Sequence, residues 1–269
     1  MKDKRILYVS SEVVPYLPET EISSMSFEAP RMVNSKGGQI RIFMPRYGNI
    51  NERRHQLHEV IRLSGMNLVI NDMDMPLIIK VASIPKERMQ VYFIDNEEYF
   101  KRKATYADED GNLFPDNDER AIFFAKGVIE TVKKLNWSPD IIHVHGWLAS
   151  FLPLYLRNYY SNEPLFENSK IVTSVYNQGF DGALDEKVTD KMAFDGIAEE
   201  NIADLKTPDY VNVMKVALNN SDAVIINSEE IPQALKDHLA TMDKPVLPYQ
   251  TTETIEEAYL DFYQNKVLG

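Results

Sequence analysis

Short apolar runs rich in β-branched residues alternate with stretches of helical periodicity along this chain of 269 residues. The runs occupy residues 6–9, 39–44, 91–94, 141–144, 171–175 and 223–226. Several are apolar at nearly every position, which is typical of parallel strands covered by helices on both faces. Strands that alternate with helices need crossover connections, so the pattern predicts an α/β fold with a doubly wound, mainly parallel sheet.

Two further elements modify this plan. The apolar stretches 68–70 and 77–81 flank the turn signal Asn71-Asp-Met-Asp74, which predicts a β-hairpin inserted in the sheet. Helices are predicted over residues 24–36, 147–159, 210–220 and 229–240, and one more begins at Asp116, with Glu119 completing a capping box.

The composition changes near the end of the chain, at Lys244-Pro-Val-Leu-Pro248. Beyond it, Ile255, Ala258, Tyr259 and Phe262 form one apolar stripe of helical spacing. We therefore expect a single α/β domain over residues 1–243, and a linker with a terminal helix over residues 244–269 that packs on the same domain.

Charge and composition exclude several classes of function. The formal net charge is −12, which argues against nucleic acids and anionic membrane surfaces as partners. The chain has no cysteine, so it has neither disulfides nor thiolate chemistry. It has no apolar run of about 18 residues and no leader-like segment at Met1, so we expect a cytoplasmic protein.

The first strand ends in a turn that contains Ser11 and Glu12. In open α/β sheets, ligands bind in the crevice at the carboxyl ends of the strands. A turn that binds phosphate needs glycines for close approach of backbone amides, but the following residues, Pro18 to Ile22, include Glu19 and Glu21 and no glycine. We therefore expect a solvated connection and no sugar nucleotide here.

His143 and His145 stand at the end of another buried run, two residues apart on one face of a strand. Such a pair could bind a metal, act as acid and base, or bond to the backbone at the edge of the sheet. No further residues have metal-ligand spacing, so we predict no metal and no cofactor.

Three other polar residues are candidates for ligand contact. Tyr176 and Asn177 close the run 171–175, and Lys215 lies on the helix that precedes Asp222. A turn with a half-buried tyrosine is as compatible with Tyr176 as ligand contact is, and for Lys215 a solvated helix lysine is the common case. The loop with Arg102, Tyr106 and the acidic stretch 108–112 has a loosely calcium-like spacing but no matching carboxylate at the twelfth position, so we expect ion pairs to hold it.

Taken together, these segments resemble the N-terminal catalytic domain of bacterial glycogen and starch synthases, the GT-B type glycosyltransferases of family five. The resemblance runs in order from residue 4 to residue 240. It includes Arg5-Ile-Leu-Tyr-Val-Ser-Ser-Glu-Val-Val-Pro15, Phe43-Met-Pro-Arg-Tyr-Gly48, the block from Tyr92 to Phe124, Pro139-Asp-Ile-Ile-His-Val-His-Gly-Trp147, Val175-Tyr-Asn177 and Tyr210-Val-Asn-Val-Met-Lys215.

The resemblance implies a glucosyltransferase that uses ADP-glucose and an α-1,4-glucan, with substrate contacts at Glu12, His145, Asn177 and Lys215. Several family motifs are changed. The lysine-threonine-glycine-glycine-leucine loop falls on residues 18–22, the histidine-aspartate-tryptophan-histidine motif becomes residues 145–148, and the histidine of the histidine-asparagine pair becomes Tyr176. The family also has a C-terminal domain with further donor-binding cations, which this sequence does not include.

These departures predict a domain with no catalytic residues of its own, in which Glu12, His145, Tyr176, Asn177 and Lys215 contact a glucan or a partner protein. Two alternatives remain open. The chain could be the N-terminal subunit of an active glucosyltransferase whose second half comes from another chain, or a scaffold that retains only the fold.

Overall fold

The computed structural model describes residues 1–269, which form one mixed sheet with helices on both faces. Its ten strands are β1 (Arg5–Ser10), β2 (Gln39–Pro45), β3 (His58–Glu59), β4 (Met66–Ile70), β5 (Met73–Ile84), β6 (Met89–Asp95), β7 (Ile141–His145), β8 (Lys170–Val175), β9 (Ala223–Ile226) and β10 (Val246–Leu247). Its α-helices are α1 (Glu21–Ser35), α2 (Glu52–His55), α3 (Glu97–Phe100), α4 (Asn117–Leu135), α5 (Leu152–Arg157), α6 (Val188–Phe194), α7 (Tyr210–Asn219), α8 (Gln233–Ala240) and α9 (Ile255–Asp261).

The strand order is β10-β9-β8-β7-β1-β2-β6-β5-β3, and β4 pairs with β5. All pairings from β10 to β6 are parallel, whereas β5 pairs antiparallel with β3, β4 and β6. In the sheet, β2 lies on one side of β1, and β7, which comes later in the sequence, lies on the other side. The predicted α/β class and doubly wound, mainly parallel sheet are therefore confirmed.

The predicted hairpin is formed by β4 and β5. Asn71 and Asp72 connect the strands, both with positive φ, and Ile70 pairs with Met73. Asparagine and aspartate tolerate the left-handed region better than most residues, which suits a two-residue hairpin turn.

Several predicted helix starts were wrong. α1 begins at Glu21, because Thr20 and Ser23 form a reciprocal capping box, and it continues through Pro30. α8 begins only at Gln233, since Pro232 disfavours helical backbone at the residue before it. The helix predicted over residues 147–159 is a 3₁₀ turn over Trp147–Ala149 followed by the short α5.

The capping box predicted at Asp116 is absent. Asp116 is the N-cap of α4, but its side chain makes no capping hydrogen bond. Instead its carboxylate takes two bonds from the guanidinium of Arg102, with Nη1 2.8 Å from Oδ1. A two-pronged, charge-assisted pair is stronger than a single bond to a backbone amide, and it closes the loop 101–116.

The terminal helix packs on the sheet beside α1 and continues as a π-helical turn over Phe262–Val267. Tyr259, Phe262 and Tyr263 are buried. The preceding segment also adds Val246–Leu247 to the sheet as β10, parallel to β9. The domain boundary at residue 243 stays a prediction. No helix combines the length and the apolar character needed to cross a bilayer.

Candidate binding crevice

The strand order places a crevice at the carboxyl ends of β1 and β7. These neighbouring strands carry connections that run in opposite directions along the sheet, which is where open α/β sheets bind ligands. Ser11 lies just beyond β1, and its backbone N–H donates to the carbonyl of His145 at 2.9 Å. Its hydroxyl accepts from the N–H of Leu148 at 3.1 Å, so the two strand ends are tied together.

Glu12 occupies the centre of this edge and is almost fully buried. Its Oε2 accepts from the hydroxyl of Thr20 at 2.7 Å, and its Oε1 accepts from Tyr106 and from the amide of Gln178, both at 2.9 Å. All three donors are neutral, and they come from three separate loops. Glu12 therefore joins the loops around the crevice, and no cation balances its charge.

Aromatic rings extend from Tyr106 along the edge. The ring of Tyr106 lies 4.9 Å from Trp147, Trp147 lies 4.8 Å from Phe180, and Phe180 lies 5.9 Å from Tyr210, between centroids. The sequence predicted that ion pairs hold the loop containing Tyr106, and the Arg102–Asp116 pair agrees with this. The contact of Tyr106 with Glu12 was missed.

His143 and His145 project from the same face of β7, as their spacing predicted, with ring centroids 4.0 Å apart. Both are fully buried. His145 Nδ1 shares a hydrogen bond of 2.7 Å with the hydroxyl of Tyr176, and its Nε2 has no hydrogen-bond partner. His143 uses both nitrogens, towards the hydroxyls of Tyr263 at 2.5 Å and Ser174 at 2.7 Å.

This environment favours neutral imidazoles. Burial lowers the pKa of His145 to about 3. Burial, followed by the neighbouring His145, holds the pKa of His143 well below its ordinary value. Burial also raises the pKa of Tyr176 well above its ordinary value, so this phenol stays protonated. The group is a neutral hydrogen-bonded network and presents no charge to the crevice.

The terminal helix completes that network. Tyr259 donates to Asn227 Oδ1 at 2.6 Å, and Asn227 donates to Ser174 at 2.7 Å and to Tyr176 at 3.3 Å. The stripe that includes Tyr259 predicted packing of this helix. The stripe did not predict the hydrogen bonds of the Tyr259 and Tyr263 hydroxyls, because their partners lie more than 30 residues away in the sequence.

Gly146 follows His145 with φ of 82°, a region that side chains rarely adopt. A Cβ at this position would lie 2.5 Å from Ser11 Oγ. Gly146 stands where the resemblance places the family's aspartate. In this backbone the position has no room for a carboxylate.

Asn177 is exposed at the next strand end. Its backbone N–H donates to Ser228 Oγ at 2.8 Å, and its side chain helps to line a hollow of about 300 Å³ with Phe180, Asp181 and Tyr210. Tyr210 donates to the carbonyl of Tyr176 at 2.7 Å, which fixes one wall.

Lys215 makes no hydrogen bond or ion pair with the other candidate residues of the crevice. It is half-buried on α7 and makes no hydrogen bond or ion pair. Its charge acts on His238 of α8, whose pKa is lowered first by burial and then by Lys215. The structure thus places Glu12, His145, Tyr176 and Asn177 at the ends of neighbouring strands along one edge of the sheet, whereas Lys215 lies towards α8.

The segment 18–22 was predicted to be a plain solvated connection, and it forms the N-terminal cap of α1. Thr20 Oγ1 accepts from the N–H of Ser23 at 3.0 Å, and Ser23 Oγ accepts from the N–H of Thr20 at 2.8 Å. Glu19 and Glu21 are exposed beside it, and Glu21 accepts a hydrogen bond from Ser228. The helix terminus that could receive an anion is thus partly capped by its own side chains and is flanked by two carboxylates.

Comparison with known proteins agrees with this architecture. The family described as the starch synthase catalytic domain matches residues 5–243. The chain belongs to this family. Glycogen synthases from Chlorobium luteolum and Chlorobium limicola are 35% and 36% identical to it over 230 and 225 residues.

These matches cover 85% and 83% of this chain but 46% and 45% of the glycogen synthases, so the chain spans about half the length of the curated relatives that it matches. Among solved structures, the catalytic domain of starch synthase IV from Arabidopsis thaliana, bound to ADP and acarbose, superimposes with a TM-score of 0.75 over 94% of this chain and 53% of that chain. At 17% identity this similarity concerns the fold alone. The predicted membership and the lobe of GT-B type are thereby confirmed.

Proposed function

We propose that this glycogen/starch synthase-like domain binds an α-glucan in the crevice at Asn177, Phe180 and Tyr210 and does not by itself transfer glucose from a sugar nucleotide. The observation that carries the proposal is the N-terminus of α1. The N–H groups of Thr20 and Ser23 are bonded to each other's side chains there, and Glu19 and Glu21 stand beside them.

Transfer from a sugar nucleotide requires stabilisation of a leaving diphosphate by preorganised amides and cations. At this terminus the N–H groups of Thr20 and Ser23 are already bonded, and the nearby charges are negative. Removing a single preorganised donor from such a site typically costs about 10²-fold or more in rate. A terminus that lacks glycines and is flanked by two carboxylates therefore supports a role without donor chemistry.

The crevice has the features of a site for a hydroxyl-rich ligand. Carbohydrates offer apolar C–H faces and many hydroxyls, so their sites combine aromatic rings with a few polar side chains. Here the half-buried ring of Phe180 meets the exposed polar groups of Asn177 and Asp181 in a hollow of about 300 Å³. That volume is at the lower limit of small-ligand sites and suits a single sugar ring.

Isothermal titration with maltoheptaose, and separately with ADP-glucose, tests the proposal. We expect saturable heat with maltoheptaose and none with ADP-glucose. Phe180→Ala should weaken maltoheptaose binding about tenfold, since it removes the ring that closes the hollow. Phe194→Ala, at an exposed aromatic outside the crevice, is the matched control and should leave binding unchanged.

Glucose incorporation into glycogen by this chain, measured with ADP-glucose, would overturn the proposal. Activity that appears only on mixing with a second chain, and falls in Asn177→Ala and Lys215→Ala, would identify the chain as a glucosyltransferase subunit instead. The exposed Asn177 at the crevice favours this as the second candidate. If neither ligand binds, the result would favour a scaffold protein that retains only the fold.

A further inference from the structure

A second cavity, of about 570 Å³, lies between the first turns of α1 and the chain that leads into α9. It shares no lining residue with the hollow at Phe180. We call it the α1–α9 groove and define it by Glu19, Glu21, Met25, Glu28, Tyr249 and Glu256.

The floor of the groove is apolar and partly solvent-exposed. Met25 and Ile255 are half-buried against the core, and Tyr249 is 43% exposed although it is a large aromatic residue. Tyr249 makes no side-chain hydrogen bond within the chain. Methionine side chains adapt to irregular surfaces and are common where a protein accepts amphipathic partners.

The rim of the groove is acidic. Glu28 and Glu256 each have a cationic neighbour, Arg31 at 2.9 Å and Lys36 at 3.1 Å. Glu19 and Glu21 have none, and Arg31 is the one cation that lines the groove. The rim therefore keeps a negative excess over an apolar floor.

We propose that the α1–α9 groove binds a basic, amphipathic segment of a partner protein, whose lysines or arginines face the rim while its apolar side chains contact Met25 and Tyr249. Charge complementarity selects this occupant. A second copy of this chain, with net charge −12, meets long-range repulsion instead. This inference does not depend on glucan binding, because the two sites have no residue in common.

The test uses a fluorescein-labelled amphipathic peptide of lysine and leucine, about 15 residues long and thus about four helical turns. Its charge-reversed counterpart replaces lysine with glutamate, and spermine serves as a cation without apolar groups. Fluorescence anisotropy should show saturable binding of the lysine peptide at low salt, weakening as salt rises, and no binding of the glutamate peptide. Spermine should fail to compete at concentrations where unlabelled lysine peptide competes.

Binding measurements on variants test whether the peptide occupies the α1–α9 groove. Glu19→Gln combined with Glu21→Gln should weaken binding about threefold to tenfold, because two rim charges are removed while the acceptor for Ser228 is kept. Tyr249→Ala should weaken it about fivefold. Glu253→Gln combined with Glu257→Gln changes the net charge equally at exposed positions that do not line the groove, and it should have no effect.

Thermal unfolding of each variant establishes that it is folded. The proposal is overturned if the lysine peptide does not bind. Equal weakening by the control pair would overturn it by showing a general charge effect. If spermine competes with the lysine peptide, and if its binding also weakens when Glu19 and Glu21 are replaced, the occupant of the groove would be a small polyamine and not a partner segment.

Discussion

The hydroxyl of Tyr263, on the terminal helix, lies 2.5 Å from Nδ1 of His143 in the middle of β7. The hydroxyl of Tyr8 lies 3.4 Å from the same oxygen. All three side chains are fully buried, so each bond replaces water that the groups lost on folding. The terminal helix is therefore held by specific polar contacts in addition to its apolar stripe.

Tyr263→Phe should lower the free energy of unfolding by about 1–3 kcal/mol, because it leaves His143 Nδ1 buried without a partner. Urea denaturation followed by circular dichroism measures the change. Tyr249→Phe removes an exposed hydroxyl that makes no hydrogen bond and should change stability by less than about 0.5 kcal/mol. Equal values for the two variants would contradict the role of the Tyr263 hydroxyl.

Stability should fall as the pH drops below about 6.5, the ordinary pKa of histidine. The pKa of His145 is about 3 in the folded protein, so between these values the unfolded state binds more protons than the folded state. The free energy of unfolding then decreases with falling pH by up to about 1.4 kcal/mol per pH unit for each such histidine. The contribution is complete above pH 6.5 and is lost progressively towards pH 3.

His145→Asn should make this dependence shallower, measured as the difference in unfolding free energy between about pH 7.5 and pH 5. His58→Asn, at an exposed histidine, is the matched control and should follow the wild type. If His145→Asn also follows the wild type, the buried ring does not carry the pH dependence.

Glu12→Gln should destabilise the protein by about 1–3 kcal/mol. The carboxylate accepts three hydrogen bonds, from Thr20, Tyr106 and Gln178, whereas an amide of the same size can accept only at its oxygen. Because Tyr106 belongs to the loop 101–116, trypsin should also cleave faster after Lys103. Glu19→Gln, at an exposed carboxylate, should alter neither measurement. Unchanged cleavage in Glu12→Gln would mean that Glu12 does not restrain this loop.

Gly146→Ala should cost about 2–4 kcal/mol, which combines left-handed backbone strain with overlap of Cβ and Ser11 Oγ. Gly182→Ala isolates the strain, because Gly182 also has positive φ but no atom within 4 Å of the place that its methyl group would take. It should cost only about 1–2 kcal/mol. In a Ser11→Gly background the penalty of Gly146→Ala should approach that of Gly182→Ala. A penalty independent of Ser11 would rule out the overlap.

Local patterns predicted the strands well, since each of the six alternating apolar runs corresponds to a strand whose ends differ by at most two residues, although the second hairpin strand, predicted over residues 77–81, extends over Met73–Ile84. The ends of the helices were predicted less well. At Asp116 the pattern indicated a capping box, but Arg102 is within reach of the carboxylate only after the loop has closed. At Thr20 the partner Ser23 was three residues away, and the capping box there was overlooked because the segment was interpreted as a connection.

The sequence by itself determined the class of fold and the negative, glycine-free character of residues 18–22, because these depend on side-chain period and composition. Only the tertiary structure decided that Tyr176 is bonded to His145, that Tyr259 and Tyr263 complete the buried network, and that Lys215 lies towards α8. These contacts are between residues far apart in the chain, and their geometry depends on how the helices pack on the sheet. No local pattern encodes that packing.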